Sequence, residues 1–223
     1  MLTDTPVINI FYNDFWGTPM INNGSHKSYR PFCILTFRLN YFVDGFNPFG
    51  YHLVNILLHS VATMLFVSVI SLFRKGNFVS LAAGTLFASH TIHTEAVAGV
   101  VGRADILACI FFLLSFLSYI SYCKRRDVSC SSLNFCSDVP GMSRWSPLVR
   151  CAIFTMTAML CKEQGITVLP VCALYDTFIH TQLAPKQILQ LYKVTGFFHR
   201  VPTHPGKSHG IQNSIMKSHG KIM

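Results

Sequence analysis

Residues 104–123 read ADILACIFFLLSFLSYISYC and are followed at once by Lys124, Arg125 and Arg126. A run of about 20 predominantly apolar residues is long enough to cross the hydrocarbon core of a bilayer as a helix. A helix also satisfies every backbone amide within its own segment, as the bilayer requires. The stretch therefore predicts a transmembrane helix with a basic flank at its C-terminal end.

The composition of the whole chain agrees with a membrane protein. Of its 223 residues, 51% are hydrophobic and 12% are charged, which is about half the charged share of an ordinary soluble domain. This balance disfavours a water-soluble enzyme and excludes disorder for the middle of the chain. The eight cysteines lack the paired spacings of disulfide or zinc modules, so we interpret them as small buried thiols, with no metal or cofactor predicted.

Three further regions are apolar. Residues 51–73 predict a first span, and residues 78–90, extending through polar residues to 101, predict a second. Residues 147–178 are interrupted by CKEQG at 161–165, which predicts either one long kinked helix or two short arms that meet at one face. Residues 32–42 carry apolar side chains at helical spacing and predict an amphipathic helix at the membrane interface. The predicted fold class is therefore an all-α multispanning membrane protein with about four to five spans.

The basic residues predict the orientation, because Lys and Arg in short loops favour the cytoplasmic side. The turn at 74–75 and the loop at 124–147 are basic and therefore predicted to be cytoplasmic. The segment 1–48 is then lumenal, and Asn23 begins an Asn-Gly-Ser glycosylation acceptor within it. Residues 49–180 form the transmembrane region, and the basic, His-rich tail at 181–223 is predicted not to fold.

Ionisable residues cluster beside the second span, and such residues are costly enough to be functional candidates. His90, His93 and Glu95 follow that span closely. They could ligate a metal ion, form a hydrogen-bonded helix end, or line a pocket for a polar substrate. His52 and His59 lie seven residues apart on one face of the first span, together with Asn55, and these residues are predicted to hydrogen-bond to a neighbouring helix.

Two further charged pairs each allow two interpretations. Arg103 and Asp105 bound the turn before the third span, where Arg103 either pairs with Asp105 at the helix end or holds a phosphate. Lys162 and Glu163 interrupt the fourth apolar region, either as a structural ion pair or as site residues.

Taken together, six motifs make the chain resemble one family, the transmembrane and tetratricopeptide-repeat-containing O-mannosyltransferases of the endoplasmic reticulum. The motifs are NDFWG (13–17), SHKSYRP (25–31), YHLVN (51–55), HTEAV (93–97), GRAD (102–105) and KE (162–163). The resemblance covers about residues 8 to 193, and the ordered set is more specific than any single motif.

The resemblance implies a multispanning glycosyltransferase of the GT-C type in the endoplasmic reticulum membrane. Such enzymes transfer mannose from dolichyl-phosphate mannose to Ser or Thr of lumenal acceptors, with cadherin-type domains as expected acceptors and no nucleic-acid partner. The implied contacts to the donor phosphate are Lys27, Arg30 and Arg103. The implied sugar pocket is formed by His90, His93, Glu95 and Asp105.

The chain also departs from the family pattern. Members begin with a further spanning helix and a lumenal loop with an acidic pair, the expected catalytic carboxylates, and this chain starts after that point. Tetratricopeptide repeats are also missing, and Thr91 stands where the family usually has Pro. We therefore expect a truncated form that is inactive alone, and no catalytic residue is assigned. Two alternatives stay open: a noncatalytic helical membrane assembly protein, and a metal or proton transporter.

Overall fold

The computed structural model describes residues 6–73, 76–131 and 141–180, without the side chains of residues 127–131 and 141–144. Every regular element in these segments is helical, which confirms the predicted all-α class. The helices are α1 (Pro31–Asp44), α2 (Pro48–Phe73), α3 (Asn77–Ser89), α4 (Ile92–Ala98), α5 (Arg103–Ser131), α6 (Gly141–Cys161) and α7 (Val168–Leu174). Short 3-10 helices cover Val7–Phe11 and Glu163–Thr167, and a π-helix covers Tyr175–His180. The predicted tail at 181–223 and the basic pair at 74–75 lie outside the described residues.

Within the described residues, two helices are long and apolar enough to cross a membrane. They are Pro48–Phe73 and the Arg103–Arg126 part of α5, each with a mean hydropathy of 2.2. Asn77–Ser89 and Trp145–Cys161 are apolar but shorter. The share of buried residues is 11% in the first candidate span and 56% in the second, so α5 lies in the centre and α2 at the periphery. Four to five spans therefore remain a prediction.

Helix α5 is the axis on which the fourth apolar region packs. Ser115 Oγ lies 2.8 Å from Thr155 Oγ1 of α6, and Leu107 and Ala108 near the start of α5 pack against Cys161 at the end of α6. These two helices are therefore antiparallel. The region then breaks and returns along α5, because α7 belongs to a cluster near the other half of α5. That cluster consists of Val69, Leu113, Phe116, Ile120, Val168 and Cys172. Of the two predicted forms of this region, the described residues adopt the two short arms.

The second predicted span is interrupted. Helix α3 ends at Ser89, and His90 adopts an extended conformation with ψ of 131° before α4 begins at Ile92. The Ile92 amide donates to His90 Nδ1 at 3.2 Å, a local side-chain bond that competes with continuation of the helix. The predicted second span over residues 78–101 therefore consists of two helices, α3 and α4, and not of one continuous helix. The predicted connector at 124–147 is also shorter, because α5 continues to Ser131 and α6 begins at Gly141.

The predicted amphipathic helix is present as α1. It begins with Pro31, a residue type that fits the first turn of a helix, and Gly45 follows its last residue, Asp44. Its Cys33, Ile34 and Phe37 face a cluster that also contains Ile10, Phe15, Tyr51 and Ala104. The stripe formed by Leu35, Leu39 and Phe42 is exposed. An apolar stripe directed away from the core is what an interfacial helix needs, and its position at the membrane surface stays a prediction.

Candidate functional site

A cavity of about 540 Å³ opens where the N-terminal end of α5, helix α4 and the break after α6 converge. Its lining residues are Arg30, Ile92, His93, Glu95, Ala96, Gly99, Val101, Gly102, Asp105 and Lys162. Two cations, two carboxylates and one imidazole therefore face a single space. Of the residues predicted for the site, the structure brings Arg30, His93, Glu95, Asp105 and Lys162 together here.

Both cations of the cavity wall form ion pairs. Lys162 Nζ pairs with Asp105 Oδ1, and Arg30 Nη2 lies 3.8 Å from Glu163 Oε2. Lys162 and Glu163 thus form ion pairs with residues of other elements, which joins the break after α6 to the first turn of α5 and to the residue before α1. The side chains of Lys162 and Arg30 are each 20% exposed, so both cations remain accessible from the cavity.

Arg103 lies beneath the cavity as a completely buried side chain, with 0% exposure. Its Nε donates to Asn55 Oδ1 at 2.8 Å, and Nη2 donates to the Tyr51 carbonyl at 3.0 Å. A longer bond of 3.4 Å joins Nη1 to the Thr36 carbonyl, and the guanidinium lies 4.6 Å from the centroid of the Phe37 ring. These donors are directed at α1 and α2. Arg103, which was predicted to contact the donor phosphate, therefore supports the floor of the cavity instead.

Asn55 completes this floor. Its Nδ2 donates to the carbonyls of Val97 at 3.3 Å and Gly99 at 3.1 Å, at the end of α4. The amide therefore accepts from α5 and donates to the α4–α5 turn, which confirms its predicted bond to a neighbouring helix. The turn is tight, since a Cβ added at Gly102 would lie 2.4 Å from the Ala96 carbonyl oxygen. Only glycine fits at this approach without a shift of the backbone.

An aromatic cluster surrounds His93, which lines the cavity. The His93 ring centroid lies 4.4 Å from Phe87, 5.3 Å from His59 and 6.2 Å from His90. Partial burial, together with the neighbouring His59 and His90 rings, lowers the pKa of His93 below its usual 6.5. His93 is therefore neutral at physiological pH and can both donate and accept a hydrogen bond. His59 Nε2 also lies 3.3 Å from the Ala88 carbonyl oxygen, as its predicted bond to a neighbouring helix requires.

The N-terminal loop is organised by Asp14, which is buried. Its carboxylate accepts hydrogen bonds from Ser25 Oγ at 2.7 Å and from the amides of Thr18, Trp16 and His26 at 2.8, 3.0 and 3.1 Å. Burial alone would raise the pKa of Asp14, but these hydrogen bonds outweigh it and hold the pKa below 3.8. This role was not predicted from the sequence, although Asp is a residue type that commonly accepts a hydrogen bond from the amide two residues later in an Asx turn.

This loop also positions Arg30. The Phe15 amide donates to the Ser28 carbonyl at 2.7 Å, and the Arg30 guanidinium lies 5.5 Å from the Phe15 ring centroid. Two other predicted residues of the loop, Lys27 and Asn23, are exposed. His90 and Glu95 are exposed as well, with Glu95 on the cavity wall and His90 beside His93.

A separate group of titratable side chains lies at the other end of α5. The ligand atoms of Cys123, Asp176 and His180 lie within 4.8 Å of one another. The Arg126 guanidinium donates to Asp176 Oδ1 at 2.7 Å and lies 3.0 Å from His180 Nδ1. A fixed positive charge therefore occupies the centre of this group, which favours an ion-pair network that fastens the π-helix to α5.

The fold and the cavity together define a class: an apolar protein whose described residues are all-helical, with two candidate membrane spans and a charged cavity at one end of them. The chain is 48% identical to protein O-mannosyl-transferase TMTC2 of Homo sapiens over 194 residues, 86% of this chain and 22% of the relative. It is 50% identical to Tmtc2 of Drosophila melanogaster over 173 residues, 77% of this chain and 17% of the relative. For TMTC3 of Homo sapiens the identity is 47% over 175 residues, 78% and 18% of the two chains.

These relatives confirm the resemblance, and the chain belongs to the TMTC family of protein O-mannosyl-transferases. The chain spans about a fifth of the length of the curated relatives it matches. No protein-family model and no solved structure matches it.

Proposed function

We propose that this chain forms the membrane part of a protein O-mannosyltransferase that uses dolichyl-phosphate mannose and acts on Ser or Thr of lumenal proteins. The cavity carries this proposal, since it combines accessible cations with neutral and anionic hydrogen-bonding groups. The names of the relatives support mannosyl transfer to proteins. We place the chain in the endoplasmic reticulum membrane as a multi-pass protein, with the cavity on the lumenal side and cadherin-type domains as acceptors.

Arg30 and Lys162 are the proposed contacts to the donor phosphate. Both are partly buried cations on the cavity wall, and each has a carboxylate partner that a phosphate would replace. Lys27 is a further proposed contact from the exposed part of the N-terminal loop. Arg103 acts indirectly, because it holds α1 and α2 against the first turn of α5 beneath these groups.

The sugar is proposed to lie against His93, Glu95 and Asp105, with His90 at the edge. In the transfer, the hydroxyl oxygen of Ser or Thr bonds to the anomeric carbon as the bond from that carbon to the phosphate oxygen breaks. The phosphate leaves with the electron pair, and the hydroxyl proton passes to a carboxylate. Cations beside the leaving phosphate stabilise the charge that develops on it.

Donor binding tests this assignment. A short-chain isoprenyl phosphate mannose is titrated into the detergent-solubilised chain, and its affinity is measured for wild type, Arg30→Met and Lys162→Met. We expect each variant to bind about tenfold more weakly, since a charge-assisted hydrogen bond contributes on the order of 1.5 kcal/mol. Lys124→Met, an exposed lysine in the distal half of α5, is the matched control. Equal loss in all three variants would contradict a phosphate site in the cavity.

Transfer is tested separately. Mannosylation of a cadherin-type domain is measured for this chain and for a version extended with the further spanning helix and acidic loop that the family resemblance leads us to expect. We expect the chain alone to bind donor without transfer and the extended version to transfer mannose. Absence of transfer by the extended version would argue against the enzymatic proposal.

Glycosylation at Asn23, removed by Asn23→Gln and detected as an electrophoretic shift, tests the lumenal orientation.

A further inference from the structure

We propose that a groove between α1 and α2 binds one zwitterionic glycerophospholipid. Its choline or ethanolamine ammonium would lie at Asp44, and one acyl chain would run along α2. The groove is a cavity of about 470 Å³ between the C-terminal half of α1 and the first two turns of α2. Most of its wall is apolar and consists of Leu39, Val43, Phe49, Leu53 and Val54. Both the volume and the lining are typical of sites for apolar ligands.

The groove is preformed, because the turn between α1 and α2 is fixed. The Gly45 amide donates to the Tyr41 carbonyl at 2.9 Å, and the Tyr51 hydroxyl donates to the Gly45 carbonyl at 3.0 Å. Gly45 has a φ of 60°, a left-handed conformation that glycine adopts without strain. The Phe49 amide donates to Asn47 Oδ1 at 3.2 Å, which fixes the first turn of α2.

The surface around the groove is apolar and exposed. Phe42 is 88% exposed and Val43 is 84% exposed, and Phe46 and Phe49 are exposed as well. Large apolar side chains on a fixed surface indicate that another apolar molecule covers them. This surface continues onto Leu53 and the outer side of α2, the candidate span that the protein covers least. The hydrocarbon of the bilayer is therefore the medium next to the groove, and a lipid chain is the occupant that fits.

The polar end of the groove selects the headgroup. Asp44 presents an exposed carboxylate at this end, and its Oδ2 packs directly against Gly50, where an added Cβ would lie only 2.5 Å away. The rings of Tyr41 and Phe46 meet edge to face at 4.8 Å between centroids, within one helical turn of Asp44. A carboxylate next to aromatic rings attracts an ammonium group and repels a terminal phosphate. A zwitterionic phospholipid is therefore favoured over an anionic lipid or an isoprenyl phosphate.

Photo-crosslinking in vesicles tests this site, and it requires only that α2 is embedded in the bilayer. The full chain is reconstituted with phosphatidylcholine that carries a diazirine on one acyl chain, and the labelled residues are located by mass spectrometry. We expect labelling concentrated at the residues that line the groove. Val43→Trp fills the groove from a position where the side chain is not packed, so it should remove this label without unfolding the protein. Leu86→Trp on α3, also exposed, is the matched control and should not.

Headgroup selection is tested with the same probe chain on phosphatidylglycerol and on isoprenyl phosphate. We expect phosphatidylcholine to be preferred over phosphatidylglycerol about fivefold, and Asp44→Lys to reverse the preference. Labelling spread evenly over the exposed residues of α2 and α3 would overturn the proposal, as would labelling that Val43→Trp leaves unchanged. Preferential labelling of the groove by isoprenyl phosphate would also overturn it.

Discussion

The floor and the wall of the charged cavity use cations in opposite ways. Arg103 in the floor is fully buried, and its hydrogen-bond acceptors are an amide side chain and main-chain carbonyls. Lys162 and Arg30 in the wall are partly exposed and are paired with carboxylates. A buried cation whose donors are all directed into the protein fixes geometry, whereas a partly exposed cation can exchange its partner for a ligand. Charge alone therefore does not identify a ligand-binding residue.

Replacement of the floor cation gives the largest expected effect. Arg103→Met removes two short hydrogen bonds and a cation–π contact, and it leaves Asn55 Oδ1 buried without its donor. We expect a loss of about 3 kcal/mol or more in the free energy of unfolding, measured by denaturant titration in detergent. Arg103→Lys keeps the charge but not the fork of donors and should restore only part of this loss. Full stability of Arg103→Met would contradict the distinction between floor and wall.

The second-largest effect is expected from a substitution at Gly165, in the break after α6 that carries Lys162. A Cβ added at Gly165 would lie 2.4 Å from the Ala158 carbonyl carbon and 2.7 Å from its oxygen, both main-chain atoms of α6. Gly165→Ala must therefore displace the break from α6, at an expected loss of about 1–3 kcal/mol in the same titration. Gly76→Ala is the control, because a Cβ at Gly76 meets no atom within 4 Å. Equal effects of the two substitutions would show that the break is not tightly packed.

The N-terminal loop gives a pH-dependent effect. The pKa of Asp14 in the folded state lies below its ordinary 3.8, so its stabilising contribution is complete above about pH 3.8 and is lost as the pH falls through the folded value. Trp16 lies in this loop, and Trp145→Phe leaves it as the only tryptophan. In this Trp145→Phe background we expect the Trp16 fluorescence to change only below about pH 3.8. In Asp14→Asn the change should be present at neutral pH and should not depend on pH.

The wall itself gives the smallest expected effect on stability. The Lys162–Asp105 pair is partly exposed and screened by solvent. Lys162→Met should therefore change the free energy of unfolding by no more than about 1 kcal/mol, in the titration used for Arg103→Met. Together with weaker donor binding, this result would assign Lys162 to the ligand. A loss as large as that of Arg103→Met would place Lys162 with the floor instead.

The sequence predicts the long helices well, because the length of an apolar run is a property of consecutive residues. Helices α2 and α5 and the break near Lys162 are recognisable in this way. The apolar run of the second predicted span ends at residue 90, close to the observed end of α3, but the break between α3 and α4 was not predicted. The burial of Arg103 was not predicted either, because its partner Asn55 is 48 residues away in the sequence. Local pattern cannot reveal which acceptors a distant helix will bring to a cation.

The return of the chain at the break also has a consequence for how the protein is made. Helix α7 and the π-helix that follows it directly cover residues 168–180, about 20 Å of helix, which is too short to be inserted into a bilayer independently. The inner residues Val168 and Cys172 belong to an apolar cluster with residues of α5 and α2. During synthesis α2 and α5 must therefore already be packed together before α7 can pack against them. Helix α7 and the π-helix are also the last of the described segments to leave the ribosome.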